Sequence, residues 1–70
     1  MKYEITCKFY QTKNIVEVTH TTTKNMYGKE YTVCHYTVLE SEHKQAIGKT
    51  GTFLEIDIAR GTTTYSVKAI

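Results

Sequence analysis

TFLEIDIARGTTTYSVKAI, residues 52–70, controls how the rest of the chain is read. Leu54, Ile56 and Ile58 alternate with Glu55 and Asp57, and Tyr65 and Val67 alternate with Ser66 and Lys68, which is the period-two pattern of half-buried strands. A two-residue turn at Arg60-Gly61 sets Ile58 opposite Thr63, Ile56 opposite Tyr65 and Leu54 opposite Val67, so both inward sets coincide. The reading is a hairpin, with TFLEIDIA as its first strand.

Just upstream, SEHKQAIG suits a short helix over residues 41–48, with Ser41 as N-cap, Glu42 in the first turn and Gly48 as the stop. Leu39, His43 and Ile47 recur at a spacing that would turn them toward a sheet. The following Gly48-Lys49-Thr50 resembles the end of a phosphate-binding loop. Such a loop needs an earlier glycine where His43 stands, a strand before it and a helix after it. Here the order is helix then strand, so Gly48 and Gly51 read as a helix stop and a bend.

YTVCHYTVL, residues 31–39, carries apolar residues on both parities: Tyr31, Val33 and Leu39 against Cys34, Tyr36 and Val38. That pattern marks a strand that is central, covered on both faces, or bulged. Nearer the start, Tyr3, Ile5, Cys7 and Phe9 share one parity, and Val16, Val18 and His20 share another. A turn at Thr12-Lys13 brings Phe9 opposite Val16, Cys7 opposite Val18 and Ile5 opposite His20. Between these strands TKNMYGKE reads as a long turn through Asn25 and Gly28.

The expected fold is mainly β: a five-stranded antiparallel sheet or a small OB-like barrel, in the order β-β-β-α-β-β. The OB-fold has that order, and so does a plain sheet with a helix across it. Thirteen Thr and six Tyr, with no Pro and no Trp, agree with β structure. Seventy residues make a single compact domain, 1–70, which buries only about 60% of its unfolded surface.

A net charge of +2 does not by itself announce a nucleic-acid partner. No run is long and apolar enough to span a bilayer and no h-region follows Met1, so the expectation is a cytoplasmic protein without membrane contact, in the host cell if the source is viral. Cys7 and Cys34 lack C-x-x-C spacing and read as two reduced thiols. Of the potential metal ligands only Cys34 and His35 are close, and adjacent strand residues point apart, so no metal or other cofactor is expected. Nor is there a catalytic constellation, since Glu55 and Asp57 are expected on an exposed, solvated strand face.

What remains is a non-enzymatic interaction protein, of the size common among viral or mobile-element accessory inhibitors that block a host defence protein. Its candidate partner-binding residues are Met26, Tyr27, Tyr31, Arg60, Glu55 and Asp57, because Tyr and Arg are enriched among interface anchors and an acidic strip can be recognised. The alternative is a single-stranded nucleic-acid binder using Lys24, Lys29, Tyr27 and Lys49, with exposed tyrosines as stacking rings. Pairing of an uncovered strand edge with a second copy is a third route to a partner.

Overall fold

The computed structural model describes residues 1–70 and is one open sheet of five antiparallel strands. They are β1 (Lys2–Cys7), β2 (Lys13–Met26), β3 (Lys29–Ser41), β4 (Thr50–Leu54) and β5 (Tyr65–Ala69), arranged in the order β4-β3-β2-β1-β5. No helix is long and apolar enough to cross a membrane. The helical segment expected over 41–48 is a single 3-10 turn at Lys44–Ala46, where the Ser41 side chain accepts a hydrogen bond from the His43 amide at 3.1 Å. Leu39, His43 and Ile47 all stay exposed, because one turn presents no continuous face to the sheet.

The hairpin expected over 52–70 does not form. β4 ends at Leu54, and Asp57–Arg60 closes into one α-helical turn, α1. The chain then crosses to the opposite edge of the sheet, where β5 pairs with β1: Ile5 faces Val67 and Cys7 faces Tyr65. Gly61, at φ 68°, follows α1 with its amide bonded to the Asp57 carbonyl, and so serves as a helix stop rather than a hairpin turn.

Two β-bulges shift the alternation, one in β3 and one in β2, whereas Tyr31 and Val33 simply face the other side of β3 from Cys34, Tyr36 and Val38. Leu39 is the extra residue where Ile15 faces Glu40 but Val16 faces Val38. Thr19 is the extra residue where Val18 faces Tyr36 but His20 faces His35. A bulge residue shifts the alternation by one, so His20 leaves the face shared by Val16 and Val18 and moves to the other.

β1 and β2 also take a different register from the expected one. Tyr3, not Phe9, faces Val16, and the turn spans residues 8–12, where the Gln11 amide donates to the Cys7 carbonyl at 2.8 Å. Phe9 is therefore 74% exposed. The register that places Tyr3 over Val16 is the one that fills the core.

That core lies on one face of the sheet, called the front. It consists of Tyr3, Val16, Cys34, Val38, Phe53 and Val67, with Ile58 from the crossover packed against it. Phe53 meets Tyr3 edge-on at 5.5 Å and Tyr36 at 5.8 Å. Gly51 sits beneath the Tyr36 ring inside β4, not in a bend before it. The back of the sheet has no covering element.

Candidate functional site

β2 and β3 are far longer than their neighbours. β1 pairs only with residues 13–17 and β4 only with residues 33–37, so the two-stranded ribbon running out to Met26 and Lys29 projects as an arm. Its length gives the molecule extents of 38 × 24 × 20 Å. The expected long turn is a tight one: Met26 faces Lys29 across Tyr27-Gly28, whose φ values of 52° and 77° are both positive. Two positive φ values give the primed turn whose twist suits a hairpin, for which Asn-Gly is the favoured pair. Tyrosine there is strained, and its side chain is 99% exposed.

Alternation fixes what each side of the arm carries. Cys34 faces front, so His35 faces back together with its partner His20. Farther out, Thr22 and Val33, Lys24 and Tyr31, and Met26 and Lys29 share this back face. Glu30 lies opposite Asn25 on the front, leaving the back of the arm without a carboxylate. Lys24 and Tyr31 are direct neighbours.

The imidazoles of His20 and His35 stack at 4.3 Å with 8° between their planes. Thr19 Oγ1 lies 3.0 Å from His20 Nδ1, and Thr22 Oγ1 lies 2.8 Å from His35 Nε2. This ring pair was not legible in the sequence, since only the bulge at Thr19 brings the two histidines to one face.

The structure thus gathers Met26, Tyr27, Tyr31, Lys24 and Lys29 on one arm, and separates them from Glu55, Asp57, Arg60 and Lys49. Asp57 is not on a solvated strand face. It is 4% exposed at the start of α1, accepts a hydrogen bond from Tyr65 Oη at 3.2 Å, and has Arg60 Nε 3.9 Å away. A partner could not reach that carboxylate, whereas Glu55 and Arg60 remain exposed. Tyr36 is half-buried against the core and is not available as an exposed stacking ring.

The chemistry of the front face is protective of protons. Burial, then the Glu55 carboxylate, pushes the Cys34 thiol above its ordinary 9.0, so it stays protonated at neutral pH and is a poor nucleophile. Cys7 and Cys34 are both free thiols, and β2 runs between their strands, about 10 Å of lateral separation, beyond disulfide reach. No group of three or more His, Cys, Asp or Glu side chains is placed to hold a metal ion.

Tyr36 is raised from 10.0 by burial, and Tyr65 is raised by burial, the Asp57 charge, its hydrogen bond to Asp57, and Tyr36. For these neutral acids a raised pKa means that the folded chain holds protons the unfolded chain releases. Their contribution is complete below pH 9.0 and is lost as pH rises through the folded values. Urea midpoints should therefore hold from neutral pH to about 9 and fall beyond it, with a shallower fall in Tyr36→Phe. An equally steep fall in that variant would assign the effect to other groups.

Comparison of the chain with protein-family models, curated proteins and solved structures gives no match.

Proposed function

We propose that this chain is a small non-enzymatic interaction protein that docks the tip of its β2–β3 arm onto another protein and blocks it, as an accessory inhibitor of a host defence protein would. The observation that carries this reading is Tyr27: a bulky ring held wholly in solvent, in a backbone conformation that costs about 1–3 kcal/mol for a residue of its type. Met26 and Tyr31 supply apolar area beside it, and the two-residue turn holds the ring at the far end of the arm, clear of the sheet. The exposed Arg60 and Glu55 lie off the arm and would act at most on its periphery.

The test separates the fold from the function at one residue. Tyr27→Asn gives the turn its preferred residue and should raise stability by about 0.5–1 kcal/mol, while weakening capture of the partner at least tenfold in a tagged pull-down. Tyr27→Ala should weaken capture as much without the gain in stability. Capture unchanged in both variants would rule out the tip as the docking surface.

A second reading rests on the carboxylate-free back of the arm. Lys24, Lys29, Tyr31 and the His20–His35 pair form a basic, ring-bearing strip suited to a single nucleic-acid strand. It predicts gel retardation at low salt that weakens with salt at a slope of about −1 to −2, set by two lysines, and disappears in the Lys24→Ala, Lys29→Ala double variant. Lys49 lies elsewhere, at the entry to β4, and is not part of this strip.

A further inference from the structure

The two sheet edges are not alike. On β5 the last strand bonds to β1 through its even-numbered residues, since the Lys8 amide donates to the Thr64 carbonyl and the Ile70 amide to the Lys2 carbonyl. Odd-numbered residues point their amides outward, but Tyr65 is already occupied: its carbonyl accepts from the Thr62 amide at 2.8 Å and its amide donates to Thr62 Oγ1 at 3.1 Å. Lys68 adds charge to that strand. Such features are how an edge is kept from pairing with another chain.

β4 has none of them. The Val38 amide donates to the Lys49 carbonyl and the Glu55 amide to the Thr32 carbonyl, so odd-numbered residues face β3 while Thr50, Thr52 and Leu54 present N–H and C=O groups outward. Its sequence, TGTFL, contains no charge and no proline. Ile47 and Ile56, 48% and 40% exposed, lie just beyond its two ends.

The flanking charges indicate what belongs there. The ion pairs within the chain join the Met1 amine to Glu17 and Arg60 to Asp57, leaving Lys49 and Glu55 unpaired. If a second β4 lies antiparallel about a two-fold axis at Thr52, Thr50 faces Leu54 of the other copy, Gly51 faces Phe53, and Lys49 faces Glu55, at both ends of the pairing. A slip of two residues places Glu55 opposite Gly51 or Ile47 and loses both charge pairs. The edge is therefore self-complementary in one register, as an isologous contact requires.

We propose that the partner of β4 is a second copy of this chain, joined strand to strand about Thr52 into a continuous ten-stranded sheet. Because the strands are antiparallel, the two arms project from opposite ends and remain free. This contact does not depend on what the arms bind.

Sedimentation velocity of the full chain, from low micromolar to near-millimolar concentration, tests the pairing. A monomer–dimer equilibrium is expected for the parent chain. Thr52→Pro removes an amide that takes no part in the β3–β4 ladder, so it should leave the fold intact and hold the chain monomeric. Lys49→Glu and Glu55→Lys should each weaken the dimer about tenfold by setting like charges opposite one another, and the double swap should restore it. Should Thr52→Pro fail to fold, the swap pair alone decides. A parent chain that stays monomeric throughout, a dimer that persists in folded Thr52→Pro, or a double swap that stays as weak as the single changes would overturn the assignment.

Discussion

Phe53→Ala should remove at least a third of the chain's stability. Phe53 is 3% exposed and is the only side chain in β4 that reaches the buried cluster, where it touches the rings of both Tyr3 and Tyr36. Truncating a buried phenylalanine costs about 3–5 kcal/mol, from lost transfer energy and from the cavity left behind. A domain of this length has a total stability of roughly 4–10 kcal/mol, so the loss takes a third of it or more. The thin cover worsens the effect, since Ile58 of the crossover is the one side chain from outside the sheet packed against this cluster, and no second layer can collapse into the space. Urea unfolding followed by tyrosine fluorescence measures it, and a midpoint within about 0.5 M of the parent would show that the front face repacks.

Gly51→Val should cost about 3 kcal/mol, at the upper end of the range for overpacking. A Cβ at this position would sit 2.6 Å from Tyr36 Cζ and 3.1 Å from Cε1, inside the ring's contact surface. The ring cannot swing clear without giving up its contact with Phe53, so strain passes directly into the core. The signature is rescue: in Gly51→Val with Tyr36→Leu, the smaller side chain removes the clash, and the double variant should be more stable than Gly51→Val alone. If the double variant shows only the sum of the two losses, Tyr36 is not what holds position 51 to glycine. By local propensity valine is a better strand residue than glycine, so this cost comes from tertiary packing against propensity.

These two positions also show where sequence reading succeeds and fails. Val67, Tyr3 and Val16 were legible as inward residues, because alternation within a strand is a local property that folding preserves; in β4 the parity came out reversed, with Phe53 and not Leu54 in the core, because Leu54 was aligned with Val67 through a hairpin that does not form. Gly51 looked like a bend, since a glycine under a ring across the strand leaves no mark in the linear pattern. His20 looked inward until the bulge at Thr19 reversed its direction. Leu54, Ile56 and Ile58 continued the alternation of β4, yet the last two belong to the crossover, where Ile58 reaches the core from α1 rather than from a strand.

The candidate site was legible in part for the same reason. Met26, Tyr27 and Tyr31 stood out as apolar or aromatic residues in a turn-forming segment, and they share the arm. Glu55 and Asp57 were grouped by a strand that ends before them, and the one-turn helix that replaces it buries Asp57 against Tyr65.

By itself, then, the sequence determined a mainly β chain, its antiparallel strands and the inward faces of β1, β5 and the start of β2, because side-chain alternation, turn formers and β propensity act over a few neighbours. Only the tertiary structure decided which strands pair, that β5 closes on β1 instead of β4, and that β2 and β3 outrun the sheet to form an arm. Those choices depend on non-local burial, in which Val67 beside Ile5 and Ile58 over the core compete with a hairpin that is equally good locally, and no window of adjacent residues contains both alternatives.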